Sequence, residues 1–236
     1  MDDQLLPFIT NEKLREYVER VLQKVKLAAD EAETRLYSNV VDPFSAVFDA
    51  SRQNIALSDW LNQEQARQVQ KTLQNALGTF HQEVLGSIPG WENLPTGSLV
   101  DVRSNERKIV AEVKNKWNTT KGSDKKSIYD NLKSALTTNY VGFKGYYVEV
   151  IPKSPLPFDT PFTPSDNVTN TTRPLNEDIR TIDGRGFYAL AAGMPDALDK
   201  LYTVLPDVIG DILKVSTASI KSDPLFGELF SRVYSK

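Results

Sequence analysis

The chain has 236 residues, of which 40% are hydrophobic and 25% are charged, a balance typical of globular proteins. It has no cysteine and a single histidine, His81, which excludes disulfides, thiolate metal sites and histidine-rich metal sites, so that any metal must be a hard, oxygen-ligated cation such as Mg²⁺. The net charge is −3, no apolar run approaches the roughly 20 residues of a membrane span, and residues 1–10 lack the features of a secretory signal, so we expect a cytoplasmic protein.

Helical patterns dominate the first 87 residues, and the spacing of apolar side chains predicts three helices, at residues 11–37, 42–53 and 58–85. Asn11 can cap the first helix, Pro43 suits the first turn of the second, and Gly86 can end the third. Polar side chains recur along the third helix at about helical spacing and predict a polar stripe formed by Arg67, Lys71, Asn75 and Gln82.

The remainder of the chain mixes strands with helices. Strands are predicted at residues 98–103, 108–116, 144–152 and 177–182, and helices at 125–137, 184–193, 195–214 and 223–234. Residues 153–176 contain five prolines and predict a long irregular loop. The order of elements favours an α/β fold, a small mixed sheet flanked by helices. We expect a single domain over 1–236, with a helical N-terminal part (1–87), a catalytic core (88–183) and C-terminal helices (184–236).

Two neighbouring strands carry charged side chains at positions where a buried strand would carry aliphatic ones. The period of two places Asp101 on one face of the first strand, and Glu112 and Lys114 on one face of the second. If the strands form a hairpin that turns around Glu106 and Arg107, Asp101 lies opposite Glu112. Opposed side chains have Cβ atoms about 4.5–5.5 Å apart, and two carboxylates at that distance repel unless a cation lies between them or one is protonated.

This pattern has the composition of a hydrolytic metal site. Mg²⁺ takes one or two carboxylates and accepts a phosphate oxygen, and a lysine beside it can position a water or stabilise negative charge. The other interpretation is an exposed strand face with alternating charges, which is common for a Glu-x-Lys sequence alone. The segment from Arg103 to Lys126 has a local net charge of +5, which is compatible with a phosphate contact surface.

Asp101 followed by Glu112-Val113-Lys114 resembles the signature of the PD-(D/E)XK nuclease superfamily. Further segments resemble, in order, those of one family of type II restriction endonucleases that cut the sequence GGNCC: LPFIT, VVDPFSAVFD, GTFHQEVLG, AEVKNKWNTTKG, YYVEVIPK and GRGFYALAAGMPDALDKLYTVLPDVI. Val100 and Trp117 depart from the pattern, which has Pro and His at these positions.

The resemblance implies a restriction-endonuclease-like core and Mg²⁺-dependent hydrolysis of double-stranded DNA that leaves 5′-phosphates. Asp101 and Glu112 would bind the metal, with the Val113 carbonyl as a third ligand, and Lys114 would be the catalytic lysine. A homodimer is implied, because a symmetric DNA site is read by a symmetric protein. A cognate DNA methyltransferase would protect the host genome.

Other polar residues are weaker candidates. Gln82 and Glu83 end the third helix, from which many nucleases of the superfamily supply a further catalytic group, whereas His81 is more typical of packing. Candidates for DNA contact lie on the third helix, in the segment after the catalytic strand and near the last strand: Arg67, Lys71, Asn115, Lys116, Asn118, Thr119, Lys121, Arg180 and Arg185.

Two alternatives remain open at the level of sequence. A structure-specific repair or recombination nuclease of the same superfamily would carry the same three residues. A nucleic-acid-binding protein with a catalytically dead nuclease core would bind DNA without metal and would not cut it.

Overall fold

The computed structural model describes residues 4–32, 34, 41–166 and 171–234. The chain forms two compact units, one containing residues 1–17 and 78–236 and the other containing residues 18–77. The predicted single domain over the whole chain remains a prediction. Within the described residues, no helix is both long and apolar enough to cross a membrane.

Three helices occupy the N-terminal part of the chain, as predicted. They are α1 (Asn11–Asp30), α2 (Pro43–Gln53) and α3 (Leu57–Gly86). Asp42 caps α2, because its carboxylate accepts hydrogen bonds from the N–H groups of Phe44 and Ser45. The predicted extension of α1 to residue 37 falls partly outside the described residues.

A mixed six-stranded sheet forms the centre of the larger unit. Its strands are β1 (Glu92–Asn93), β2 (Val102–Ser104), β3 (Ile109–Lys116), β4 (Lys144–Ile151), β5 (Asp159–Pro161) and β8 (Ile179–Asp183). The spatial order is β1-β2-β3-β4-β8-β5, in which β3, β4 and β8 run parallel and the other pairings are antiparallel. The prediction of a small mixed sheet is therefore confirmed.

Helices flank this sheet, and a turn of 3₁₀ helix follows β3 at Trp117–Thr119. The helices are α4 (Gly122–Thr138), α5 (Gly184–Ala192), α6 (Ala197–Leu213), α7 (Ala218–Ser222) and α8 (Pro224–Val233). Helix α4 is the crossover that the parallel pair β3–β4 requires. Its residues Tyr129 and Leu132 pack in one buried cluster with Val110 of β3 and Tyr147 of β4. This packing fixes one face of the sheet against α4.

The proline-rich segment 153–176 differs from the irregular loop that was predicted. It contains the edge strand β5 and a two-stranded ribbon formed by β6 (Ser165–Asp166) and β7 (Thr171–Thr172). Proline is tolerated in β5 because an edge strand does not need every N–H for pairing. Strands of two or three residues carry too little periodicity to be read from sequence, which also explains why β1 was missed.

Gly184 is expected to be essential for folding because β4 passes very close to it. A Cβ atom at this position would lie 2.7 Å from the Cα atom of Val150. Gly184→Ala must therefore displace backbone, and we expect it to lower the free energy of unfolding by about 3 kcal/mol or more. Gly227→Ala in α8 is the matched control, because a Cβ there meets nothing within 4 Å. Urea denaturation measures both variants, and equal midpoints would contradict this account.

Candidate active site

The β2–β3 hairpin sets the register of the candidate site. Val102 pairs with Ala111 and Ser104 with Ile109, so the chain turns around Glu106 as predicted. Asp101 itself lies in a bend just before β2, where its N–H donates to the Ala111 carbonyl at 2.9 Å. The predicted pairing of Asp101 with Glu112 is therefore not part of the ladder, because β2 begins only at Val102, one residue after Asp101.

The side chains of the motif gather around the backbone of Val113. Asp101 Oδ2 accepts a hydrogen bond from the Val113 N–H at 2.7 Å. Glu112 Oε1 lies 2.5 Å from Lys114 Nζ. From α3, the side-chain amide of Gln82 donates to the Val113 carbonyl at 3.3 Å. A carboxylate, a Glu–Lys ion pair and an amide are thus assembled on two strands and one helix.

Strand β3 changes character at Glu112. Its first three residues, Ile109 to Ala111, are all buried, and Val110 lies on the face that α4 covers. From Glu112 onward the residues on that face are only half-buried, while Val113 on the other face remains 1% exposed. Glu112 and Lys114 therefore lie where the cover of α4 ends, at the carboxyl-terminal half of a parallel strand, the usual location of sites in open α/β sheets.

Asp101 has a strongly perturbed carboxyl group. Burial raises the pKa of Asp101 to about 6, and the negative charge of Glu112 adds to the rise, although the Val113 N–H and Lys114 oppose it. The carboxylates of Asp101 and Glu112 therefore repel each other in an environment that is partly shielded from water. A divalent cation between them would remove this repulsion.

Lys114 is held in its charged form. Burial acts to lower the pKa of Lys114, but the charge and hydrogen bond of Glu112, together with Asp101, outweigh burial and raise it. In this structure Lys114 is thus an ammonium group at neutral pH, suited to stabilise negative charge on a phosphate.

The donor set fits a hard divalent cation. Two carboxylates, Asp101 and Glu112, are the protein ligands that Mg²⁺ usually takes, and the rest of its shell is filled by water and substrate. Among the described residues no group of three or more acidic, histidine or cysteine side chains is arranged to hold a metal. A site here would therefore depend on these two carboxylates and a backbone oxygen such as that of Val113.

The segment after β3 divides into buried and exposed residues. Asn115 is 6% exposed and faces α3, where its Cβ lies 3.8 Å from the position of a Cβ on Gly78. Lys116 is half-buried, and its carbonyl accepts from the Thr119 hydroxyl at 2.6 Å. Asn118, Thr119 and Lys121 are exposed beyond the end of the strand. A role of these residues in DNA contact remains a prediction.

Two predicted DNA-contact residues lie in the smaller unit. Arg67 pairs with Glu64 at 2.8 Å, and its guanidinium lies 5.2 Å from the centre of the Trp60 ring. Lys71 is exposed on the same helix.

The two arginines near the last strand make intramolecular ion pairs. Arg180 bonds to Asp159 at 2.6 Å and to Glu177 at 3.0 Å. Arg185 makes two hydrogen bonds to Asp199, at 3.0 and 2.8 Å. To read a base, either guanidinium would have to exchange these partners, so base reading by these residues remains a prediction.

Two further polar residues near the end of α3, Glu83 and His81, differ in their surroundings. Glu83 is half-buried at the end of α3. His81 donates or accepts a hydrogen bond with the Tyr188 hydroxyl at 2.8 Å, and burial lowers the pKa of His81 to about 4. A neutral, half-buried imidazole bonded to Tyr188 fits the packing role predicted for it.

Strand β4 contributes a charged residue, Glu149, that the sequence analysis missed. Glu149 is the register partner of Lys114, lies on the same face of the sheet and is 7% exposed. Its carboxylate binds Lys125 of α4 at 2.6 Å. The signal was present in the sequence, because Glu149 interrupts the apolar run YYVEV in the same way as Glu112 interrupts IVAEV.

Comparison with known proteins decides the family. The family model described as the Eco47II restriction endonuclease matches residues 6–214. The chain belongs to the Eco47II restriction endonuclease family. It is 44% identical over 212 residues to the type II restriction enzyme Eco47II of Escherichia coli, covering 89% of this chain and 88% of that protein. It is 30% identical over 237 residues to the type II restriction enzyme Sau96I of Staphylococcus aureus, covering 98% and 90% respectively. No solved structure matches the chain.

Membership of this family makes the chain a type II restriction endonuclease, an enzyme that hydrolyses DNA. The resemblance described from the sequence segments is therefore confirmed. The metal, the recognition sequence, the quaternary structure and the role of each side chain are matters of proposal.

Proposed function

We propose that this endonuclease hydrolyses phosphodiester bonds of double-stranded DNA with Mg²⁺ as its cofactor, using Asp101 and Glu112 as metal ligands and Lys114 as the catalytic lysine. The observation that carries the proposal is the joint placement of these groups around Val113, with Asp101 bonded to its N–H and Glu112 paired with Lys114. The raised pKa of Asp101 supports it, since burial and the nearby Glu112 carboxylate both disfavour a negative charge that a cation would offset.

The residues of the proposed active site have different roles in hydrolysis. Mg²⁺, when bound, supplies a Lewis acid and lowers the pKa of a water. Lys114 directs its ammonium to the phosphate and stabilises the negative charge that grows there during hydrolysis. Gln82 holds the Val113 carbonyl, and with it the strand that carries Glu112 and Lys114. Glu83, the next residue of α3, is the second candidate for a catalytic group from that helix.

The proposed recognition sequence is GGNCC or a closely related one. The support for it is the resemblance of six chain segments to those of restriction enzymes that cut this sequence. Digestion of a DNA of known sequence, followed by sequencing of the fragment ends, tests it. Discrete ends within GGNCC support the proposal, whereas smeared products or cutting confined to branched DNA would identify a structure-specific nuclease instead.

A homodimer is proposed because each chain carries one Asp–Glu–Lys set, whereas cleavage of a duplex breaks two strands. Two copies related by a two-fold axis place one set on each strand of a symmetric site. In a cell, the partner activity is a DNA methyltransferase that protects the same sequence, and both would work in the cytoplasm.

Removal of divalent metal is expected to abolish cleavage. A chelator in excess should stop plasmid cutting because Asp101 and Glu112 are then left without their cation. Mg²⁺ added in excess of the chelator should restore cutting, whereas Ca²⁺ should not, because its longer bonds and looser geometry position the reacting groups poorly. Gel electrophoresis of the plasmid measures the result, and undiminished cleavage in chelator would refute the proposed cofactor.

A further inference from the structure

A second Glu–Lys pair lies beside the one already described. On β3, Glu112 pairs with Lys114, and on β4 the register partner of Lys114 is Glu149, which pairs with Lys125. Register partners in a parallel sheet lie on the same face, and neighbouring strands are about 4.8 Å apart. The two pairs are therefore adjacent on one face, at the edge of the cover formed by α4.

The second pair is costly to keep in this position. The side chain of Glu149 is only 9% exposed and that of Lys125 is 28% exposed, so both charges are largely removed from water. A buried ion pair of this kind often contributes no more stability than apolar side chains of similar size. Stability alone therefore gives a weak reason for charged residues here.

The surroundings of Lys125 hold its ammonium in one place. Glu149 accepts one of its three donors at 2.6 Å, and the ammonium lies 5.3 Å from the centre of the Tyr147 ring. Without Glu149, a second ammonium near Lys114 would be opposed by charge repulsion. Glu149 thus binds a second cation on the face of the sheet that carries Lys114, and it engages only one of the three donors of Lys125.

We propose that Lys125 is a second cation of the active site that binds the scissile phosphate together with Lys114, and that Glu149 is the positioning residue that holds it there. The inference rests on the proposed function and extends it to residues of β4 and α4. A single ammonium can reach one side of a phosphate, whereas two ammonium groups, one on β3 and one on α4, can contact two of its oxygens.

The test is a single-turnover cleavage assay with Mg²⁺ and saturating enzyme, accompanied by DNA affinity measured in Ca²⁺ and by thermal unfolding. The central variant is the double replacement Lys125→Met with Glu149→Gln, which removes both charges, keeps the volumes and leaves no buried charge unpaired. We expect its cleavage rate to fall about 100-fold, in the range seen when one donor to a developing charge is removed, with affinity within a few-fold of the original. Lys133→Met, at an exposed position of the same helix, is the control and should cut at the original rate.

Two further variants separate positioning from packing. Lys125→Arg keeps a cation and should retain at least a tenth of the rate. Glu149→Gln alone leaves the ammonium in place but unheld, and should lower the rate by about tenfold, less than the double replacement does. An unchanged rate for Glu149→Gln would contradict its positioning role.

The outcomes also distinguish this inference from the proposed function. If the unaltered enzyme fails to cut with Mg²⁺, both are wrong. If it cuts and the folded double variant cuts within threefold of its rate, only the role of Lys125 is wrong. Weaker DNA binding with an unchanged rate at saturation would likewise overturn the assignment to the scissile phosphate, and a lower melting temperature with an unchanged rate would reduce the pair to a structural one.

Discussion

Lys114→Ala is expected to lower the rate of DNA cleavage by about 10²–10⁴-fold, the range typical of a lost catalytic proton-transfer or charge-stabilising group. The ammonium of Lys114 is held 2.5 Å from Glu112 and its pKa is raised by the neighbouring carboxylates despite burial, so it carries its positive charge at neutral pH. The substitution removes the ammonium that pairs with Glu112 and that is proposed to contact the phosphate. Cleavage of a plasmid under single-turnover conditions measures the loss.

DNA binding by this variant should change little. With Ca²⁺ in place of Mg²⁺, we expect the affinity of Lys114→Ala for DNA to stay within about tenfold of the original, because most affinity for DNA comes from many phosphate contacts. Lys144→Ala is the matched control, since Lys144 is exposed at the opposite end of the neighbouring strand. If Lys114→Ala cleaves DNA at the original rate, Lys114 takes no part in the reaction and the assignment of the active site is wrong.

The local signals in the sequence predicted the longer helices and most of the sheet. Helix α2 begins at Pro43 and α5 ends before Gly193, whose φ of 67° is the left-handed conformation that glycine adopts readily. Both positions are recognisable because proline is favoured in the first turn of a helix and glycine just after its last residue. The elements that were missed are short, such as β1 at Glu92–Asn93 and the five-residue helix α7 at Ala218–Ser222.

The shared face of Glu112 and Lys114 was predictable for a similar reason. Glu112 and Lys114 share a face through the period of two, which is a property of one strand and needs no knowledge of its neighbours. The position of Asp101 was predicted less well, because the bend before β2 depends on how the Asp101 N–H meets the Ala111 carbonyl. Partners on separate strands depend on register, which a single sequence does not contain.

Glu149 illustrates that limit most clearly. Its role beside Lys114 depends on the parallel register of β3 and β4, and its pairing with Lys125 depends on the path of α4 across the sheet. Each residue alone is an ordinary charged side chain. Only the fold brings the two Glu–Lys pairs together. The structure therefore adds to the sequence analysis mainly the contacts between residues that are far apart in the chain.

The clustering of carboxylates implies that the active site lowers the stability of the metal-free protein. Asp101→Asn is therefore expected to abolish cleavage and, at the same time, to stabilise the fold in the absence of metal at pH 8. The folded protein binds the Asp101 proton more tightly than the unfolded chain does, because the pKa rises from 3.8 to about 6 on folding. Stability from this group is present below pH 4 and is lost as the pH rises to about 6, so the full penalty acts at pH 8.

Thermal unfolding at several pH values measures this effect. At pH 8 without metal, Asp101→Asn should gain about 1–3 kcal/mol in the free energy of unfolding, since one pKa unit corresponds to about 1.4 kcal/mol, and near pH 4 the difference should vanish. Excess Mg²⁺ should raise the melting temperature of the original enzyme and leave that of the variant unchanged, because the cation relieves the repulsion only where both carboxylates remain. Asp207→Asn, at a half-exposed surface position, should show neither change. A variant that is less stable at pH 8, or that Mg²⁺ stabilises as strongly as the original enzyme, would show that Asp101 is not held against Glu112 for a metal.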